Sequence, residues 1–100
     1  MIVIYAPKAK NSINNIAVYI EKKGYPETAE KFADKLYKFG NSLIDFPEKY
    51  PVCKQARFAK RNMCCAVFHK NYIFVYKLVQ NELIIYNIIH CNANPAFYSV

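Results

Sequence analysis

The sequence lacks an apolar run long enough to cross a membrane. In its most apolar region the hydrophobic residues are interrupted by Lys77, Glu82 and Asn87, whereas a spanning helix needs about 20 apolar residues in succession. The first ten residues hold only a short apolar run before Pro7, and a secretory leader carries ~7 to 15 apolar residues. We therefore expect a soluble, cytoplasmic protein without membrane contact.

The cysteines lack the paired spacing of zinc and redox motifs. Cys53, Cys64, Cys65 and Cys91 include no C-x-x-C pair, and Cys64 and Cys65 would point to opposite faces of a strand. His90 beside Cys91 is the only hint of a metal site, and it lacks the second ligand pair that zinc sites show. We expect buried, reduced thiols, no metal and no cofactor.

Acidic residues are scarce in the second half of the chain. The net charge is +7, and residues 51–100 carry Glu82 as their single acid. The basic residues of this half are Lys54, Arg57, Lys60, Arg61, Lys70 and Lys77. This imbalance favours a polyanionic partner, either nucleic acid or an acidic protein surface. The alternative is ordinary solubilising charge.

The apolar pattern predicts a helical hairpin after a first strand. The chain has 100 residues, of which 54% are hydrophobic, so we expect one domain over residues 1–100. Residues 2–5 fit a strand, and apolar residues recur at helical spacing over residues 8–23 and 27–45. Only Gly24 and Tyr25 separate these helices, so they should lie antiparallel.

Beyond Pro51 the pattern changes to that of strands. We predict strands over residues 53–58, 63–68, 72–78 and 83–90, joined by short links into a meander, and an irregular tail over residues 92–100. The predicted fold class is α+β, in the order β-α-α-β-β-β. The helical hairpin should pack on one face of a mostly antiparallel sheet of four to five strands.

Alternation sorts the last two strands into faces. The face predicted to lie under the helices holds Tyr72, Phe74, Tyr76, Leu78, Leu83, Ile85, Asn87 and Ile89. The opposite face holds Ile73, Val75, Lys77, Ile84, Tyr86, Ile88 and His90. Because this second face is largely apolar, it should form a groove or be covered.

The order of these elements resembles the RelE/ParE superfamily of toxins. Residues 16–20 (IAVYI), 29–32 (AEKF) and 43–47 (LIDFP) are similar to the helical hairpin of that family. Residues 71–77 (NYIFVYK) and 85–90 (IYNIIH), followed by Asn94 and Pro95, are similar to its last strands and tail. The resemblance covers nearly the whole chain and is closer to ParE-like members.

The resemblance implies the toxin of a type II toxin–antitoxin module of the plasmid stabilization type. Such a toxin forms a hetero-oligomer with a cognate antitoxin that neutralises it, and its target is DNA gyrase or ribosome-bound messenger RNA. Messenger-cleaving members place an arginine after the strand tyrosine, where this chain has Ile73, and often a second one after the last strand, where it has Ala93. These losses favour a non-enzymatic toxin that binds a protein such as gyrase. An inactive relative that only binds its antitoxin is a third hypothesis.

A ribosome-dependent endoribonuclease stays open as the enzymatic alternative. Cleavage through the 2′-hydroxyl needs a proton acceptor, a cation for the transition state and a proton donor. Arg61 is a candidate cation, and His90 and Tyr98 are candidate proton donors. His90 fits a structural histidine as well, and His69 fits a solvated turn residue.

The predicted partner surface combines an apolar groove with a basic rim. The groove residues are Ile73, Val75, Ile84, Tyr86 and Ile88, and the rim residues are Lys54, Arg57, Lys60, Arg61 and Lys77. We expect an antitoxin segment that folds on binding to fill this groove. In the alternative, the chain's own tail covers it through Pro95, Phe97 and Tyr98. The basic residues then only protect a strand edge.

Overall fold

A computed structural model of the chain describes residues 2–53 and 56–90, with the side chain of Arg57 left out. The elements are β1 (Ile2–Tyr5), α1 (Pro7–Lys22), α2 (Pro26–Ser42), α3 (Ala56–Ala59), β2 (Cys64–Phe68), β3 (Tyr72–Val79) and β4 (Glu82–His90). Apart from the single-turn α3, this is the predicted β-α-α-β-β-β order, and the α+β class is confirmed. No helix in the described part of the chain is long and apolar enough to cross a membrane.

The two long helices form the predicted hairpin. Each begins with a proline, Pro7 and Pro26, at a position where the helix needs no backbone donor. Gly24 adopts a φ of 98° between them, a conformation that glycine reaches without a steric penalty. The second helix ends at Ser42 rather than at residue 45, because successive turns replace its last helical turn.

The sheet has the strand order β1-β4-β3-β2. The pairs β2–β3 and β3–β4 are antiparallel, whereas β1 runs parallel to β4, with Ile2 opposite Glu82. The predicted, mostly antiparallel sheet is therefore confirmed, with four strands. Both outer positions are taken by the shortest strands.

The main core lies between the helical hairpin and the sheet. Ile13 of α1 and Leu36 of α2 are buried there against Phe74 of β3. Aromatic rings fill the space beside them, and the ring of Phe39 lies 4.7 Å from that of Phe68 and 4.9 Å from that of Phe74. Gly40 is required on α2, since a Cβ there would collide with the hydroxyl of Tyr5.

A register shift between Val75 and Tyr76 corrects the predicted faces of β4. Val75 lies opposite Asn87, but Tyr76 lies opposite Ile85, so β4 carries one extra residue at this point. Beyond the shift the alternation reverses. Ile88 therefore joins the helix-side core and Ile89 the opposite face, contrary to the prediction.

The strand predicted over residues 53–58 is also wrong. The structure has a helical turn, Ala56–Ala59, and only an isolated bridge between Val52 and Cys64. Residues 54 and 55 lie outside the described part. The segment is too short for its apolar pattern to distinguish a strand from a helix, and Gln55, Ala56 and Arg57 are all good helix formers.

The expectation of reduced thiols is wrong for two of the cysteines. Cys53 and Cys65 form a disulfide, with their Cα atoms 5.0 Å apart. Cys64 points to the other face of the sheet and is free. Cys91 lies outside the described residues.

Candidate functional site

The segment from Val52 to Met63 covers part of the sheet face that is opposite the helices. The disulfide joins its start to β2, and the Cys53 amide donates a hydrogen bond to the Met63 carbonyl at 2.8 Å. Cys53 and Met63 are buried against Ile73 and Val75. The protein thus has a second, smaller core, built by its own chain.

This second core fills part of the predicted groove. Ile73 is 7% exposed and Val75 is fully buried, so neither is open to a partner. Ile88 lies on the other side of the sheet, because of the register shift. Ile84 and Tyr86 are partly exposed and are the two groove residues that stay accessible on this face. The tail residues Pro95, Phe97 and Tyr98 lie outside the described residues.

Beyond the second core the same face continues onto the edge strand. Ile4 pairs with Ile84, and Ile2 pairs with Glu82. Ile2 is 57% exposed and Val79, opposite Glu82 on β3, is 36% exposed. We define Ile2, Ile4, Val79 and Ile84 as the apolar strip; Glu82, which pairs with both Ile2 and Val79, lies between these two on the same face.

The basic residues that the structure describes lie beside this face. Lys60 and Arg61 are exposed in the turn after α3, where the Lys60 amide bonds to the Ala56 carbonyl and the Arg61 amide to the Phe58 carbonyl. Lys77 and Asn62 line one cavity of about 330 Å³, which brings this turn close to β3. Lys54, and the side chain of Arg57, lie outside the described part of the structure.

The two catalytic candidates that the structure describes, Arg61 and His90, do not lie in a common centre. His90 pairs with Tyr72 at the far end of β2 from the turn that holds Arg61. Its ring lies edge-on to Tyr72, with 4.8 Å between the centroids, on the helix side of the sheet and not on the predicted face. Burial raises the pKa of the Tyr72 hydroxyl, so this neighbouring phenol is a weaker acid than a free tyrosine. Tyr98 lies outside the described residues.

His69 occupies the turn between β2 and β3, as predicted. It has a φ of 54°, and its ring lies edge-on to Phe68 and Phe32, 4.5 Å and 5.8 Å away. The side chain is exposed yet rests on the aromatic core. These contacts indicate a structural role.

Cys64 is not activated as a nucleophile. Burial raises the pKa of its thiol, which outweighs the opposite effect of a hydrogen bond with Tyr76. A thiol becomes reactive when its pKa is lowered. Burial also raises the pKa of Tyr76, whose hydroxyl donates to the Pro47 carbonyl at 2.7 Å.

The sequence interpretation missed one surface feature. Phe46, in the turns that follow α2, is 72% exposed. The hairpin motif at residues 43–47 includes Phe46 but does not predict that it is exposed. The signal available was a phenylalanine between Asp45 and Pro47, beyond the end of the helical stripe.

The described residues form a small basic α+β domain with an apolar strip on one face of the sheet and no assembled catalytic centre among them. The model of the family described as the ParE toxin of the type II toxin–antitoxin system, parDE, matches residues 3–95. The chain therefore belongs to the ParE toxin family, within the RelE/ParE superfamily.

Solved structures support the same fold. A chain described as a chromosomal ParDE toxin–antitoxin system from P. aeruginosa superposes with a TM-score of 0.76 at 13% sequence identity, covering 90% of this chain and 95% of the other. No curated protein matches this chain in sequence. At this identity the structural match concerns the fold alone.

Proposed function

We propose that this type II toxin is neutralised by a cognate antitoxin and acts in the cytoplasm by binding a protein target, such as DNA gyrase, rather than by cutting messenger RNA. The observation that carries this proposal is the environment of Ile73. Messenger-cleaving relatives need a cation at the corresponding position. Here the side chain is 7% exposed and packs in the second core beside Val75.

Because Ile73 is buried, a positively charged side chain cannot replace it without a loss of stability. An arginine in place of Ile73 would have to leave the second core or lose its hydration, at a cost of several kcal/mol. The hydrogen bond from the Cys53 amide to the Met63 carbonyl and the burial of both side chains hold the covering segment over this position. The separation of His90 from the Arg61 turn along β2 supports the same conclusion.

The test measures two activities of the purified protein and the growth of cells that express it. We expect no cleavage of messenger RNA on programmed ribosomes, and we expect inhibition of supercoiling by DNA gyrase. Rapid cleavage that is abolished by His90→Ala or Arg61→Ala would overturn the proposal. Normal growth of cells that express the chain alone would instead identify an inactive antitoxin-binding relative.

The antitoxin surface follows from the same geometry. We propose that it consists of the apolar strip, the half-buried Tyr86, and the adjoining basic residues Lys60, Arg61 and Lys77. An antitoxin segment with apolar and acidic side chains complements such a surface. In this proposal, the covered residues Ile73 and Val75 support the surface without touching the partner.

Charge reversal tests this surface. Lys60→Glu combined with Arg61→Glu should weaken the antitoxin complex and lower its salt sensitivity, while the free protein keeps its melting temperature. The matched control is Lys35→Glu together with Lys38→Glu on the exposed side of α2. Equal loss of affinity in both variants would indicate only a general effect of net charge.

A further inference from the structure

The turns after α2 form a loop, residues 43–50, that is held in place at both ends and at its tip. Leu43 is 2% exposed, and Tyr50 packs against Phe39 with 6.4 Å between the ring centroids. The hydroxyl of Tyr76 on β3 donates to the Pro47 carbonyl at 2.7 Å. The Lys49 amide donates to the Phe46 carbonyl at 3.0 Å and closes the turn. The loop is therefore preorganised.

This fixed loop presents Phe46 to solvent. At 72%, its side chain has the highest exposure of any large hydrophobic residue in the described part of the chain. Tyr19 and Tyr25 are exposed to 63% and 61%, but each has a hydroxyl that water can solvate, whereas phenylalanine has none. Aromatic side chains held on rigid supports are typical anchors of protein interfaces, since little conformational entropy is lost when they bind.

Two cavities beside Phe46 make the exposed surface of the loop larger than one side chain. An open depression of about 540 Å³ is lined by residues 45–49. A second cavity, of about 330 Å³, lies between this loop and the end of β3, with Pro47, Tyr50 and Leu78 in its wall. Leu78 is itself 38% exposed. A partner that takes up Phe46 therefore has space beside it for a side chain of its own.

The charge of the loop sets it apart from the antitoxin surface. Asp45 and Glu48 flank Phe46, with Lys49 as the only cation of the loop, in a protein of net charge +7. A complementary partner offers an apolar pocket with a basic rim. The acidic side chains that suit Lys60 and Arg61 would be repelled here. The two surfaces thus select different partners.

We propose that residues 43–50 are the target-binding surface of this toxin, with Phe46 inserting into an apolar, positively charged pocket of the target protein. This inference rests on the proposed function, a toxin that acts by binding a protein. It adds that the toxic contact is centred on Phe46, whereas the antitoxin surface is centred on the apolar strip with Lys60 and Arg61; the two surfaces adjoin at the cavity that Pro47 and Lys77 both line. Each contact can then be removed without the other.

The test uses Phe46→Ala in the full-length protein, with Tyr25→Ala as the control for loss of an exposed aromatic ring. At matched expression, Phe46→Ala should abolish growth inhibition and weaken binding to purified DNA gyrase at least about tenfold, as for an interface anchor. Tyr25→Ala should inhibit growth like the wild type. Both variants should keep the melting temperature and should co-purify with the antitoxin encoded beside the gene.

The charge is tested separately by Asp45→Lys with Glu48→Lys, which leaves Phe46 in place and should also reduce growth inhibition. Full growth inhibition by Phe46→Ala, or loss of its antitoxin binding together with its toxicity, would overturn the proposal for this loop. If the wild type does not inhibit growth, the proposed function itself is wrong. The two failures are distinguishable. Growth inhibition by the wild type tests the proposed function, whereas growth inhibition by Phe46→Ala tests the role of this loop.

Discussion

The two faces of the sheet are covered in different ways. One face lies under α1 and α2, whose apolar stripes bury Leu36 and Phe74 in a large core. The other is covered in part by an irregular segment, which a disulfide and a few backbone bonds hold over Ile73 and Val75. The helical hairpin covers its face because of a repeating apolar pattern. The irregular segment covers the other face through local contacts and one covalent bond. The first cover should therefore dominate stability, while the second shapes the proposed antitoxin surface.

The largest effect should follow from a cavity in the helix-side core. Phe74 is fully buried and contacts Phe39, so Phe74→Ala should lower the free energy of unfolding by about 3–5 kcal/mol. Chemical denaturation followed by circular dichroism measures this. The control is Val67→Ala on β2, where the side chain is 53% exposed and we expect a change of about 0.5 kcal/mol or less. Similar losses in the two variants would contradict the assignment of the main core.

Loss of the disulfide should have the next largest effect. The bond between Cys53 and Cys65 closes a loop with a sequence separation of 12, so reduction should lower the free energy of unfolding by about 3 kcal/mol. Denaturation with and without dithiothreitol measures this. Cys53→Ala with Cys65→Ala should remove the response to reductant, and Cys64→Ala should retain it. A wild type that is insensitive to reductant would show that the second cover does not depend on the bond.

The close approach of α2 to β1 predicts an intermediate effect. Gly40→Ala places a Cβ against the Tyr5 hydroxyl and 2.9 Å from the Ile85 Cδ1, and overpacking of this kind costs about 1–3 kcal/mol. Tyr5→Phe loses hydrogen bonds to the Tyr37 carbonyl and the Asn41 side chain, at about 1 kcal/mol. In the double variant the losses should be less than additive, because the missing hydroxyl makes room. Strict additivity in a double-mutant cycle would argue against the contact.

The smallest effect concerns alkaline pH. Burial raises the pKa of Tyr5 to about 12, from an unfolded value of 10.0. The neutral phenol is favoured in the folded state, so its stabilisation is complete below pH 10 and is lost as the pH rises towards 12. Tyr5→Phe should show a smaller fall in stability over this range. Absorbance at the phenolate band, recorded during an alkaline titration, should show Tyr5 among the late-titrating tyrosines.

The sequence predicted the helix-side core well, for a physical reason. The stripe through Phe32, Leu36 and Leu43 spans about three helical turns, and the prolines and Gly24 mark the helix ends in the chain itself. The strands of the last hairpin were equally clear, and the turn at Gln80 fixes their pairing as far as Tyr76, where the register shifts. These signals are local.

The second face was predicted less well, because its determinants are not local. The register shift beside Val75 arises where Asn87 accepts a hydrogen bond from Ser12 of α1 at 2.7 Å, a contact between distant parts of the chain. The pairing of Cys53 with Cys65 likewise depends on a fold that spacing alone does not reveal. Phe46 was assigned to a family motif, and only its exposure in the folded protein singles it out.

The parallel pairing of β1 with β4 affects the order in which the protein folds during synthesis. Among the described strands, residues 2–5 pair only with residues 82–85, which are synthesised much later. The helical hairpin can form while synthesis continues, since its contacts are close in sequence, but the pairing of β1 must wait for β4 and closes a very long loop at an entropic cost. A nascent or truncated chain that lacks β4 therefore has no apolar strip, because Ile84 belongs to β4 and β4 joins β1 to the rest of the sheet. The order of synthesis delays the assembly of the proposed antitoxin surface until β4 has been made.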